Sequence, residues 1–202
     1  MNGITRQKVI DLCKENNIFI AVDPKGKDYI KYKNVSLIKP NKKEAELFFG
    51  NTIDISENYD KYSEKIINNL NIKYLLTTLG NEGMCLSYKD HNNKIIHIKK
   101  NIIASSVTDV TGCGDSIISA IVIYLNMYEP IDKNIDNFLN ILTNVGKKAV
   151  SSKGCYQLNL YDWNNFIDIN SSYLTKVVID KEMYLKIKPL LIGKKITFTN
   201  GC

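Results

Sequence analysis

Short apolar runs alternate with amphipathic stretches along this chain, and that alternation limits the fold more than any other feature. Ile18–Val22 is a continuous apolar run with FIAV at its core, bounded by Asn17 and Asp23-Pro24. Val35–Ile38 has the same character. A run without polar alternation suits a strand buried on both faces, the usual state of a parallel strand. Apolar residues elsewhere recur at helical spacing. Ile4, Val9, Ile10 and Cys13 mark a helix over Ile4–Asn16, and Ser56–Leu70 and Ile135–Ser151 mark two more. Asn41, after Pro40, reads as an N-cap with Glu44 three residues on, starting a helix that ends near Gly50. Tyr74–Thr78 reads as a strand, and Met84–Tyr88 with Ile95–Ile98 as a β-hairpin around Asp90–Lys94. Val107–Val110 leads into a glycine turn, after which a long apolar helix runs from Asp115 to about Met127. The order of elements predicts an α/β fold with a mostly parallel sheet flanked by helices.

The tail behaves differently. Asp180–Leu191 reads as a helix and Lys195–Thr199 as a strand, beyond which only Asn200-Gly201-Cys202 follow. The expected division is therefore 1–175 for the main domain and 176–202 for a linker plus the first strand of a second, cut domain. The length of 202 residues suits one domain, or one plus a tail.

Composition excludes several function classes. Hydrophobic residues make up 44% and charged residues 24%, the balance of a globular chain. No apolar run approaches the ~20 residues that span a bilayer, and the N-terminus has no apolar core behind a basic flank. The expectation is a cytoplasmic protein with no membrane partner. Five cysteines at wide spacings, with only His91 and His97 beside them, do not make a zinc site, and read as reduced thiols. The net charge of +6 comes from scattered lysines with no block of five, so no nucleic-acid partner is expected.

The chemistry concentrates in Asp109-Val110-Thr111-Gly112-Cys113-Gly114-Asp115, between a strand and an apolar helix. Two glycines around a small residue let successive N–H groups point into one concavity, and the helix N-terminus adds partial positive charge. The product is an anion hole of Gly112, Cys113 and Gly114 sized for a phosphate. Asp115, in the first helical turn, is placed to accept a proton from an alcohol attacking phosphorus. The segment is neither a Walker A loop nor a dinucleotide fingerprint. On the glycines alone, a plain turn with an N-capping aspartate fits as well.

This segment resembles the second signature of the ribokinase-like carbohydrate kinases, the PfkB family. Pro40-Asn41-Lys42-Lys43-Glu44, Thr77-Thr78-Leu79-Gly80-Asn81-Glu82-Gly83 and the stretch from Asn144 to Gly154 resemble further elements of that family, in the same order. Asp23-Pro24-Lys25-Gly26 and Phe198-Thr199-Asn200-Gly201-Cys202 are similar to the kinase half, and the opening of the transferase half, of bifunctional heptose 7-phosphate kinase/heptose 1-phosphate adenylyltransferases. The resemblance implies a ribokinase-like fold and an ATP- and Mg2+-dependent sugar kinase serving ADP-heptose and lipopolysaccharide core precursor synthesis. It implies Asp115 as catalytic base, Thr78, Gly80, Gly83 and Asn144 along the nucleotide, and Asn41 and Glu44 holding Mg2+ through water. Lys25 either pairs with a phosphate or is a solvated surface lysine. Cys113 departs from the family's alanine; it is a small residue that fits, or a thiol activated by the helix N-terminus.

The same resemblance implies that Met1 falls near the middle of a kinase domain and that the chain stops before the transferase motif. The expectations are an exposed sheet edge or apolar surface, a separately encoded N-terminal half or a homodimer partner to cover it, weak ATP binding and negligible phosphorylation of a phosphorylated sugar by the chain alone. The alternatives are a kinase for another sugar or a nucleoside, or a non-catalytic nucleotide-binding remnant.

Overall fold

A computed structural model describes residues 3–50, 54–55, 57–102, 109–128 and 130–168. Helix α1 (Gly3–Glu15) is followed by strands β1 (Ala21–Val22) and β2 (Leu37–Ile38), helices α2 (Lys42–Phe48) and α3 (Tyr59–Leu70), and strands β3 (Tyr74–Thr78), β4 (Met84–Lys89) and β5 (Ile95–Lys100). Helices α4 (Cys113–Met127), α5 (Ile135–Ser151) and α6 (Leu160–Asp168) complete the described chain. The expected elements Asp180–Leu191 and Lys195–Thr199, the FTNGC stretch and the boundary at 175/176 lie outside the described residues.

The strands form one sheet in the order β1-β2-β3-β4-β5. β1, β2 and β3 run parallel, with Ala21 opposite Leu37 and Leu37 opposite Tyr74. β4 is antiparallel to β3, and β5 to β4. The sheet is mixed, which corrects the mostly parallel expectation. The reason lies in the connections. Leu79–Gly83 is a tight turn closed by the Leu79 N–H donating to the Gly83 carbonyl at 2.8 Å. A parallel crossover needs a dozen or more residues, so a link this short reverses the chain.

β1 and β2 are also shorter than the apolar runs that contain them. Both the Ser36 and Leu37 N–H groups donate to the Ile20 carbonyl at 3.0 Å, and the Ile20 N–H donates to the Ser36 hydroxyl at 3.0 Å. A side chain thus replaces a ladder partner, and regular pairing begins only at Ala21.

Strand alternation sorts the core into two layers. Leu37, Tyr74, Leu76, Met84 and Leu86 face Ile117, Ile121 and Tyr124 of α4 and Phe138, Ile141, Leu142 and Val145 of α5. Ile38, Leu75 and Cys85 point the other way, against Ile10 of α1, Ala45 of α2 and Tyr62, Ile66, Ile67 and Leu70 of α3. Each buried aliphatic side chain contributes about 1.5–3 kcal/mol. Helix α6, which the sequence pattern does not mark, adds Trp163 and Phe166 to the first layer. Its start carries a short polar signal. Asn159 accepts from the Asp162 N–H at 2.9 Å and donates back to the Asp162 carboxylate at 2.8 Å.

β1 is one edge of the sheet. Val9 and Leu12 on α1, Ile18 ahead of β1 and Ile30 beyond it are all more than two-fifths exposed. Among the described residues, no helix is long and apolar enough to cross a membrane.

Candidate functional site

The parallel strands deliver their next residues to one end of the sheet. Asp23 follows β1 and Lys39 follows β2, with the Lys39 N–H donating to the Val22 carbonyl at 2.8 Å. Lys39 is 2% exposed. Its ammonium sits 3.1 Å from Asp23 Oδ1. The pair is aligned for charge and not for a hydrogen bond, so among the described residues that buried carboxylate oxygen has no hydrogen-bond donor. On the outer side of Asp23, Lys25 Nζ stands 3.5 Å from Oδ2 and 2.7 Å from Glu44 Oε1. The four charges alternate Lys39–Asp23–Lys25–Glu44. Burial disfavours the Lys25 ammonium, but Glu44 and Asp23 outweigh it and raise its pKa. Lys25 is therefore an ion-paired lysine, and not simply a solvated one.

Asn41 and Glu44 form a reciprocal capping box at the start of α2, as their spacing predicts. Asn41 Oδ1 accepts from the Glu44 N–H, and Glu44 Oε2 accepts from the Asn41 N–H, each at 2.9 Å. Thr78 ends β3 beside them. Its N–H donates to the Pro40 carbonyl at 3.0 Å, and Asn41 and Thr78 form a parallel bridge.

The N-terminus of α4 closes on the same place. Gly112 caps the helix in the left-handed region, at φ 74°, where a side chain would be strained. A Cβ on Gly114 would lie 3.2 Å from Lys39 Nζ and 3.7 Å from Asp23 Oδ2, so only glycine lets the helix start rest on that pair without pushing it. The approach to the cap is a turn. Asp109 accepts from the Thr111 N–H at 2.9 Å, and hydrogen bonds from the Thr111 side chain and then from its N–H hold the carboxyl below the usual range. The Cys113 N–H donates to the Val110 carbonyl at 3.3 Å. Among the described residues no side chain caps the helix.

This changes the expected anion hole. Cys113 spends its N–H inside the turn. Among the described residues the N–H groups of Gly112, Gly114 and Asp115 have no partner. Three unpaired donors at a helix N-terminus favour an anion. The Asp115 side chain is exposed at the rim and has no ion pair among the described residues. Burial pushes the Cys113 thiol up, and the Lys39 ammonium only partly offsets this, which argues against an activated thiol.

Other expected residues stand apart. Gly83 has φ 97°, and a Cβ there would overlap the Lys100 carbonyl and crowd Asn101. Its glycine is required by the turn against the end of β5. Gly80 is open, with no described residue within 4 Å of a Cβ. Asn144 is half-buried on α5, two residues before Gly146, which faces Ile117 of α4. No contact among the described residues joins Asn144 to the charged cluster.

Lys39 and Asp23 are the residues that sequence reasoning missed as site components. The signal was present: a lysine directly after two fully buried residues must bury its charge against a partner, and Asp23 holds the matching position one strand over.

The same geometry bears on Mg2+. Among the described residues no three acidic, histidine or cysteine side chains cluster to hold a metal. Asp23 and Glu44 nevertheless flank one cation position, now taken by Lys25. One or two carboxylates plus phosphate oxygens and water suffice for Mg2+, so these residues fit a hydrated ion.

Residues 1–160 match the pfkB family of carbohydrate kinases. The chain belongs to that family. Among curated relatives, a bifunctional protein HldE from Aliarcobacter butzleri is 31% identical over 203 residues, covering 97% of this chain and 40% of that protein. Its namesake from Helicobacter hepaticus is 32% identical over 195 residues, covering 96% and 39%. The chain thus spans about two-fifths of the length of these relatives. The fold is that of phosphofructokinase-2 from Escherichia coli (TM-score 0.68, 17% identity, 84% of this chain and 53% of that one). It is also that of Arabidopsis thaliana ribokinase, solved with ribose and ATP (TM-score 0.62, 19% identity, 82% and 53%). These likenesses establish a ribokinase-like α/β fold for this PfkB chain.

Proposed function

We propose that this chain is the nucleotide-handling part of an ATP-dependent sugar kinase of the heptose 7-phosphate 1-kinase type, with Asp115 as its general base. The observation that carries the proposal is the start of α4. Unpaired amides of Gly112, Gly114 and Asp115, an exposed Asp115 carboxylate and the Lys39 ammonium are gathered within one helical turn.

Each group has a physical task. The amides of Gly112 and Gly114 accept negative charge on the transferred phosphoryl, as preorganised donors do. Lys39, held below the helix start, adds fixed positive charge that needs no reorganisation. Asp115 takes the proton of the attacking sugar hydroxyl at its carboxylate, worth about 10²–10⁴-fold. Thr78, with Gly80 beyond it, borders the polyphosphate path, and Asn144 on α5 lies toward the base. Asp23 and Glu44 would hold Mg2+ through water, and the ion would neutralise charge on the phosphates. Lys25 would then release its carboxylates and pair with phosphate.

The heptose assignment is supported by Asp23-Pro24-Lys25-Gly26, by the FTNGC stretch and by the HldE relatives. The exposed apolar residues on α1 and around β1 fit a partner, an N-terminal kinase segment in a second chain, that supplies the sugar-binding surface. The test measures ATP affinity by calorimetry and heptose 7-phosphate turnover, with and without an added N-terminal kinase segment from an HldE relative. The expected result is weak ATP binding alone and turnover only with the segment. Asp115→Asn lowers turnover by about 10²–10⁴-fold and shifts ATP affinity by less than about threefold. Equal turnover by Asp115→Asn and the native chain would refute the assignment.

A further inference from the structure

We infer that Glu82 is a positioning residue for the nucleotide: it ties the turn after β3 to the start of α2 and so sets the spacing between the two rims of the polyphosphate path. The inference rests on the proposed nucleotide-handling role and adds a residue to it.

The backbone fixes only one end of that path. The Thr78 N–H donates to the Pro40 carbonyl at 3.0 Å, and Asn41 and Thr78 form a parallel bridge. Beyond Thr78 the chain leaves the sheet in a 3-10 turn, Gly80–Glu82. Its base is closed by the Leu79 N–H on the Gly83 carbonyl at 2.8 Å and the Gly83 N–H on the Gly80 carbonyl at 3.1 Å. Gly80 and Asn81 at the tip are exposed, and Gly80 has φ 63°. A glycine there has little steric restraint of its own, so the tip depends on a hold from outside.

Glu82 supplies that hold. Lys42 Nζ lies 3.7 Å from its Oε1, and Lys99 Nζ lies 3.3 Å from its Oε2. One carboxylate thus joins the turn, α2 and β5. Lys42 is steadied in turn by Asp54, whose Oδ1 stands 3.4 Å from the ammonium. Lys42 opens α2, where a cation opposes the helix dipole. Desolvation also disfavours its charge, but Asp54 and then Glu82 outweigh this and raise its pKa. The neighbouring Asn41 and Glu44 are locked together in the capping box. Holding Lys42 therefore holds the Asn41–Glu44 rim against the Thr78–Gly80 rim.

The side chains of Lys42, Asp54, Glu82 and Lys99 are all partly exposed. Exposed ion pairs add little to fold stability and weaken with salt. Their effect is read in nucleotide affinity and not in unfolding, which separates positioning from a merely structural part.

The test titrates the full chain with a non-hydrolysable ATP analogue and Mg2+, at low and high NaCl, for the native sequence, Glu82→Gln, Lys99→Gln and the double variant. Glu82→Gln is expected to weaken binding about threefold to tenfold at low salt. It lowers the backbone order parameters of Gly80 and Asn81 in the free chain and leaves the urea midpoint near the native one. At about 0.5 M NaCl the gap in affinity closes. Lys99→Gln weakens binding alone and adds nothing in the Glu82→Gln background, because both changes break the same contact. A gap that persists at high salt, or losses that add, overturns the inference. A native chain that binds no analogue removes the proposed function together with this role. A native chain that binds, with Glu82→Gln matching its affinity at low salt, removes the role alone.

Discussion

Replacing Lys39 with methionine isolates the buried charge beneath the α4 N-terminus. Methionine keeps the aliphatic stem but removes the ammonium 3.1 Å from Asp23 Oδ1. At an effective dielectric of 20, that separation corresponds to about 5 kcal/mol of attraction. Removing one partner of a buried pair typically costs about 3–5 kcal/mol, because the other charge is left uncompensated. Asp23 is not sealed: its side chain is 18% exposed, and Lys25 lies 3.5 Å from its other oxygen. The expected loss is therefore lower, about 2–3 kcal/mol, or roughly 5–10 °C in Tm for a chain of this size. Urea unfolding measures it. The double variant Asp23→Asn/Lys39→Met removes both charges and recovers to within about 1 kcal/mol of the native chain. A single Lys39→Met within about 0.5 kcal/mol of native, or a double variant no better than the single, would refute the pair as the support of the helix start.

Gly83→Ala places a Cβ into the Lys100 carbonyl at φ 97°, and strain and overlap together cost about 2–6 kcal/mol in urea unfolding; an unchanged midpoint would return Gly83 to a purely ligand-contacting role. Asp132 gives a pH signature. Burial disfavours its charge, but hydrogen bonds from Lys73 at 2.5 Å and from the Tyr74 hydroxyl outweigh this and hold its carboxyl below the usual range. A depressed carboxylate stabilises the fold above the unfolded value, near pH 4. The margin of the native chain over Asp132→Asn is thus full at neutral pH and fades as pH falls through the lowered native value. A margin that grows on acidification contradicts the sign.

The legible parts of this molecule were those with local causes. Ile135–Ser151 and Tyr74–Thr78 are legible to the residue because periodicity and turn chemistry bound them. The Asn41–Glu44 box was readable because both partners lie within one turn. The sheet's direction is less legible, since the apolar runs before the hairpin at Asp90–Lys94 suggest parallel strands throughout while the short Leu79–Gly83 turn reverses the chain. The lengths of β1 and β2 depend on the Ser36 hydroxyl meeting Ile20, a contact across sixteen residues. The Lys39–Asp23 pair is likewise a product of strand neighbourhood. At Cys113 two effects oppose each other: its position at a helix start favours a thiolate, while burial against the core, invisible in the local sequence, pushes the thiol up.

The most direct measurement is an amide NMR titration of the isotope-labelled chain with a non-hydrolysable ATP analogue and Mg2+. The account predicts that the N–H resonances of Gly112, Gly114 and Asp115 move most and saturate together, while that of Gly83 stays near its free position. Saturable binding that leaves those three amides unmoved would contradict it.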